Sequence, residues 1–324
     1  MSQFSFSDLG PDLILDAIES TGIVVDSGLL ALNSYENRVY QFKDVEQQRF
    51  VVKFYRPQRW SDAQINEEHQ FTLELEEHEV PIAAPILLNN TTLNHYQGYA
   101  FAVFPSVGGR QFEVDNLDQL EWMGRFIGRI HAVAGSEPFA HRLAITPERY
   151  LHESKEQLQQ GDLIPTELTT AFFTILDQVI SIAAQQYQES QQIRLHGDCH
   201  PGNILWRDGP TFVDMDDCCM GPAIQDLWMM LSGDRQQQQL QMQTLVEAYE
   251  EFCEFDNRQL KLIEPLRAMR QVHHMAWLQK RWSDPAFPRA FPWFAEPKYW
   301  EQQILSLKEQ LSALNEPPLS ITYV

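Results

Sequence analysis

The apolar positions of the first hundred residues follow the period of strands more than that of helices. "GIVVDSGLLAL" (22–32) and "NRVYQF" (37–42) are two apolar runs about a turn. In "RFVVKFY" (49–55), Val51, Lys53 and Tyr55 fall on one side and Phe50, Val52 and Phe54 on the other. That alternation predicts a strand. "SDAQ" (61–64) sets Ser61 three residues ahead of Gln64, the form of a capping box, and predicts a helix to about Glu77. "GYAFAVF" (98–104) predicts another strand, which the Pro and two glycines of "PSVGGR" (105–110) break.

Beyond that break the period becomes helical. Leu120, Met123, Ile127 and Ile130 share one face of a helix predicted over 116–133. A second long helix is expected over 167–188. Short strands and turns are expected over 193–216, and helices again from about Ala223. The Gln-rich "RQQQQLQMQ" (235–243) leads into periodic apolar sequence and reads as a solvated helix face. "DPAFPRAFPWFAEP" (284–297) interrupts the helices; its rings suit core packing or the lining of a cleft. The outline is an α+β chain with a small β-rich lobe over 1–104, a hinge at 105–110 and a larger helical lobe over 111–324.

Composition sharpens this outline. A chain of 324 residues is long enough for two packed units. Its 45 acidic residues against 24 basic ones give a formal net charge of -21. Such a surface repels nucleic-acid backbones and anionic membranes, so neither is an expected partner. No run of 18 apolar residues and no secretory signal are evident. Cys199, Cys218, Cys219 and Cys253 form no CxxC pair, which fits reduced thiols in the cytoplasm. A monomer is the default expectation.

Candidate chemistry concentrates in "HGDCHPGNILWRDGPTFVDMDD" (196–217). Asp198 sits on a loop, Asn203 follows by five residues, and Asp214 ends an apolar stretch. Phosphoryl transfer uses such a set: one carboxylate orients the attacking hydroxyl, while an Asn oxygen and a second carboxylate hold Mg²⁺ against the phosphates of ATP. Hard oxygen ligands suit Mg²⁺, and a metal would let so many carboxylates share a small volume.

This string resembles the aminoglycoside phosphotransferase and choline kinase branch of the protein-kinase-like superfamily. Together with "LNSYENRVYQF", "FVVKFYRPQRW", "INEEHQF" and "FVDMDDCCMGPAIQDLW", it is similar more narrowly to a bacterial family of stress-linked serine/threonine protein kinases on that fold. The resemblance implies a bilobal protein-kinase-like fold, with ATP and Mg²⁺ as cofactors and Ser or Thr hydroxyls of proteins as acceptors. It implies that Asp198 is the catalytic base, and that Asn203 and Asp214 are the Mg²⁺ ligands. Lys53 would contact the ATP phosphates. Glu68 would pair with Lys53, with Glu67 as the neighbouring alternative; a lysine on an apolar strand needs such a carboxylate to stay charged.

Two departures matter. The turn that would cover the phosphates, "NSYENR" (33–38), has no glycine. Ser34, Glu36 and Asn37 supply turn chemistry instead, and Ser34 and Asn37 are candidates for nucleotide contact. Only twelve positions separate Asp214 from Asp226, which leaves little room for a phosphorylated activation loop. That shortness, and an acidic cleft, would also suit a kinase for a small amino alcohol, sugar or aminoglycoside. No G-x-x-x-x-G-K-[ST] is present, which excludes a P-loop enzyme. A metallophosphoesterase would need further His and Asp pairs. A kinase fold serving only as a binding module would not need the competent residues found here. Asp216 and Asp217 could assist a second metal or simply cap and solvate, with Asp216 the better placed for metal. Asp226 would tie the loop down, and His131, His196, His200, His273 and His274 read first as structural.

Overall fold

The computed structural model describes residues 6–187 and 191–321. Its N-terminal region is built on α1 (Pro11–Glu19), β1 (Leu30–Ala31), β2 (Arg38–Lys43), β3 (Arg49–Phe54), α2 (Asp62–Glu77), β4 (Asn94–Tyr96) and β5 (Tyr99–Pro105). The strands form one antiparallel sheet in the order β1-β2-β3-β5-β4. The alternation read in β3 sets its two faces. Val52 and Phe54 join Phe42, Phe101 and Val103 beneath Ile14, Ala17 and Ile18 of α1. Lys53 and Tyr55 point the other way, where Tyr55 and Ala102 pack with Ile65 of α2. The Ser61–Gln64 capping box opens α2 as the sequence predicts.

Two N-terminal expectations need correction. Helix α1 was not foreseen. Its signals are Pro11 in the first turn and Ile14, Ala17 and Ile18 at helical spacing. Burying each of those isoleucines contributes roughly 1.5–3 kcal/mol. The apolar run 22–32 is not a strand for most of its length: only Leu30–Ala31 pairs in β1, with an isolated bridge from Val25 to Asp44. Gly22 has φ +93°, and Val24 and Leu30 are exposed, so the run gives neither a regular backbone nor a buried face.

The chain leaves the sheet through 105–110 and enters β6 (Arg110–Gln111), α3 (Leu117–Ala134), α4 (Glu153–Gln159) and α5 (Thr166–Gln186). There follow β7 (Ile193–Leu195), β8 (Ile204–Trp206), β9 (Pro210–Phe212), β10 (Cys219–Gly221), α6 (Gln225–Trp228) and α7 (Arg235–Tyr249). The helices α8 (Ile263–Arg281), α9 (Ala286–Ala290) and α10 (Pro297–Leu314) complete the described chain. Position 188 of the expected helix 167–188 lies outside the described residues.

Leu120, Met123, Ile127 and Ile130 are buried on α3, which packs on α7. The two backbones approach so closely that a Cβ at Gly128 would stand 2.6 Å from the Tyr249 carbonyl oxygen. Helix α5 is long and apolar enough to cross a membrane by length and composition. Its stripe of Phe172, Leu176, Val179, Ile180 and Ala183 is instead buried in the core, and α5 packs against α8 and α10. The Gln-rich stretch opens α7 behind an Asp234–Gln237 capping box; its first residues are exposed as expected, but Gln241 and Met242 turn inward and are buried. Of the aromatic segment, Phe287 and Phe294 are fully buried core, where Phe294 packs against Trp300 of α10. The architecture is mixed α+β, a sheet region followed by a helical region.

Candidate active site

Three short strand pairings carry the sequence motif. β7 pairs with β10, and β8 pairs with both β6 and β9. Asp198 follows β7, Asn203 precedes β8 and Asp214 follows β9, so two adjacent ladders bring the three to one place. Asp226, at the start of α6, ties the first loop: its carboxylate accepts the His196 N–H at 2.8 Å and the Gly197 N–H at 2.9 Å. His131 Nε2 stands 3.1 Å from the same carboxylate and is buried, a structural role. Gly197 has φ +83°, and a Cβ there would meet the Asp217 carbonyl oxygen at 2.3 Å; the loop requires glycine. His196 Nε2 donates to the Val213 carbonyl at 3.0 Å, which joins the Asp198 loop to the Asp214 strand.

Asp198 is three-quarters buried, with Arg270 of α8 on Oδ1 and His200 Nε2 3.3 Å from Oδ2. Burial opposes its charge, but His200 and Arg270 outweigh burial and hold the carboxyl well below the usual range. The Asn203 amide donates to the Asp198 carbonyl at 3.0 Å. Asp214 has left-handed backbone at φ 61°, ψ 65°, and its side chain is half-exposed.

Lys53 lies under these carboxylates, buried, with its Nζ 3.1 Å from Glu68, 3.6 Å from Asp214 and 3.4 Å from Asp216. Burial alone would lower its pKa. The Glu68, Tyr55, Asp216 and Asp214 oxygens reverse that and raise its pKa well above the usual lysine value. The adjacent glutamates of α2 divide their work. Glu68 takes Lys53 on one oxygen and Arg142 on the other at 2.6 Å. Glu67 faces elsewhere and accepts the backbone N–H groups of Ala140, His141 and Arg142 at 2.6–2.8 Å.

Several of these acids have cations of the chain beside them. Asp216 is bound by Arg59, Lys53 and the Arg142 side chain at its carbonyl, and Asp217 takes Arg59 at 2.5 Å. These protein cations offset much of the charge on Asp216 and Asp217. Burial raises the Asp216 pKa, but Arg59, Lys53 and Arg142 outweigh it and hold the carboxyl down. Among the described residues no group of three or more His, Cys, Asp or Glu could hold a metal ion. The donors left for a cation are the half-exposed Asp214 carboxylate and Asn203. Two hard oxygen ligands, with water and phosphate completing the shell, fit a divalent ion that rides on a nucleotide.

The glycine-free turn is held by charge. Glu36 accepts from Arg56 at 3.0 Å, Arg281 at 2.7 Å and the Trp277 indole at 2.6 Å. Burial raises its pKa, but Arg59, Arg281 and Arg56 outweigh it and hold the carboxyl down. Asp284 takes Arg38 at 3.2 Å and Arg56 at 2.8 Å. Asn37 is buried and accepts the Arg56 N–H at 3.0 Å, so its side chain braces the turn. The half-buried Ser34 hydroxyl donates to the Asn37 carbonyl at 3.3 Å. Cys199, Cys218 and Cys219 are buried, and burial pushes their thiols up, so Cys199 is no reactive thiol.

Arg59, Arg142 and Arg270 were not singled out from the sequence. Their partners lie 157, 74 and 72 positions away, and no local spacing signals which arginine returns to which acid.

The family model described as "Phosphotransferase enzyme family" matches residues 29–263. "Stress response kinase A" of Escherichia coli (strain K12) is 55% identical over 322 residues, 99% of this chain and 98% of the relative. "Serine/threonine protein kinase RdoA" of Salmonella typhimurium is 54% identical over 320 residues, 98% of each. Among solved structures, an amicoumacin kinase in complex with AMP-PNP and Ca²⁺ superposes with TM-score 0.72 at 17% identity, covering 94% of this chain and 93% of that one. A microcompartment-associated aminopropanol kinase gives 0.71 at 18%, covering 96% and 100%. The resemblance read from the sequence therefore holds over nearly the whole length. With an acid–Asn–acid constellation facing a buried lysine, and relatives at this identity, the chain belongs to the phosphotransferase enzyme family and is an ATP-dependent kinase.

Proposed function

We propose that this chain is a serine/threonine protein kinase that uses Mg²⁺ with ATP and acts in the bacterial stress response. The observation that carries the catalytic part is the Asp198–Asn203–Asp214 constellation with Lys53 paired to Glu68 beneath it. The printed names of relatives at 54–55% identity support the protein acceptor.

Asp198 orients the acceptor hydroxyl. Its depressed pKa makes it a weak base, so it takes the proton late, once the bond to phosphorus has largely formed. Lys53, kept charged by Glu68, binds the phosphates next to the transferred group. Asn203 and Asp214 would hold the metal, which offsets negative charge on the phosphates. Ser34 and the backbone of its turn lie on the β1–β2 side, where nucleotide phosphates would approach. Positioning and charge neutralisation supply most of the rate. Four cysteines with no disulfide support a cytoplasmic setting.

The test is labelled ATP with Mg²⁺ over a cell extract and a metabolite pool, with wild type and Asp198→Ala. Acid-stable phosphoserine or phosphothreonine on protein, lost in the variant, is the expected result. Label on small molecules alone would make it a metabolite kinase, the activity that the short Asp214–Asp226 segment also permits.

A further inference from the structure

A cavity of about 1030 Å³ opens between the sheet and the helical region, beside Asp217 and along α8. Its charge is the reverse of the molecule's. Seven basic side chains line it against three acids, Glu153, Asp217 and Asp284, whereas the whole chain has 24 basic residues against 45 acidic. Four of the seven, Arg38, Arg56, Arg59 and Arg281, are satisfied by Glu36, Asp216, Asp217 or Asp284. Arg149, Lys280 and Arg289 have no carboxylate partner among the described residues. They come from three separate elements: the turn at 148–152, α8 and α9. His273 also lines the cavity; burial and then the charges of Arg149 and Arg59 lower its pKa to about 3.

The rest of the lining mixes apolar side chains, Phe6, Trp60, Leu143 and Trp277 among them, with neutral polar ones such as Gln58, Ser154 and Gln157. Cations scattered over such a mixed wall suit a chain carrying several carboxylates better than one compact polyphosphate, which would be met by donors converging on one point. The cavity is also tied to the catalytic loop. Arg270 holds Asp198, and Arg270, His273, Trp277 and Lys280 recur at spacings of three, four and three along one face of α8. From Arg270 to Lys280 the helix rises roughly 15 Å. An extended peptide covers that in about four to five residues.

We propose that this cavity docks an acidic stretch of the protein acceptor, lying about four to five residues from the phosphorylated Ser or Thr. This rests on the protein-kinase reading above and names its substrate class. It also replaces the expectation of an acidic cleft for a cationic acceptor: a basic cavity disfavours aminoglycosides and amino alcohols.

The experiment uses the full chain and three fluorescein-labelled serine peptides, alike except for three Glu, three Gln or three Lys at that distance. Anisotropy reads binding, and labelled ATP reads transfer. The Glu peptide should bind best and weaken with salt. The triple variant Arg149→Gln, Lys280→Gln, Arg289→Gln should weaken it on the order of ten-fold. The charge-reversed triple Arg149→Glu, Lys280→Glu, Arg289→Glu should move the preference to the Lys peptide, a gain that an unfolded variant could not show. Equal binding of the Glu and Gln peptides, or Glu binding untouched in both variants, overturns the proposal. So does inorganic tripolyphosphate binding that needs the three cations while the Glu peptide fails to bind. Transfer to serine with no acidic preference sinks this inference alone. Transfer to small amino alcohols and to no peptide sinks the protein-kinase reading.

Discussion

Glu36 Oε1 stands 2.7 Å from Arg281 Nη2, an ion pair that joins the turn between β1 and β2 to the far end of α8. A turn with no glycine cannot rely on backbone freedom to fold over a nucleotide, and here side-chain charge holds it in place. Glu36→Ala would leave Arg56, Arg59 and Arg281 crowded without their shared acid. The expected cost is about 3 kcal/mol of stability. The KM for ATP should rise more than kcat falls. Denaturant unfolding and initial rates check both; an unchanged KM would detach the turn from the nucleotide.

The two glutamates of α2 should separate by phenotype. Glu68→Gln weakens the hold on Lys53 and should lower kcat/KM on the order of a hundred-fold. Glu67→Gln loses a carboxylate that accepts three backbone N–H groups, and should cost roughly 1–3 kcal/mol of stability with little change in chemistry. Matched kinetics and melting curves decide it. Equal kinetic defects in the two variants would contradict the division seen in the structure.

Asp198→Asn keeps the shape of the loop and removes the carboxylate proposed to accept the hydroxyl proton. Transfer should fall by roughly 10²–10⁴. Nucleotide affinity, read by titration with a fluorescent ATP analogue, should stay near wild type because the proposed mechanism places Asp198 on the acceptor side. A large loss of ATP affinity would place Asp198 elsewhere in the mechanism.

Acid should destabilise the sheet region through His69. This imidazole is buried between the Tyr55 hydroxyl at 2.7 Å and Thr92 at 2.8 Å. Burial, then the charges of Lys53 and Arg142, lower its pKa to about 3. In the unfolded chain it binds a proton near pH 6.5. The unfolded state therefore carries one more proton than the native state from about pH 6.5 down to about 3. Stability is fully present above that window and falls as pH drops through it, by roughly 1.4 kcal/mol per pH unit for one site. Unfolding free energies measured from pH 7 to 5 should show a shallower slope in His69→Gln than in wild type.

Periodicity was enough for much of the fold. The alternation around Lys53 gave β3 and both its faces, and the Ser61–Gln64 pair gave the start of α2. It misled at 22–32, where an apolar run lacks regular backbone, and it passed over α1, whose apolar stripe spans only nine residues. For the site, the order of Asp198, Asn203 and Asp214 was legible because all three lie within one short stretch. The arginines were not. Arg59, Arg142 and Arg270 reach their acids only after the chain has folded back, and the amino-acid pattern carries no record of such pairings.

The segment from Asp214 to Asp226 is short and mostly buried, and Asp226 clamps the loop that bears Asp198. That span, DMDDCCMGPAIQD, holds no Ser, Thr or Tyr, so no side chain in it could carry a regulatory phosphate.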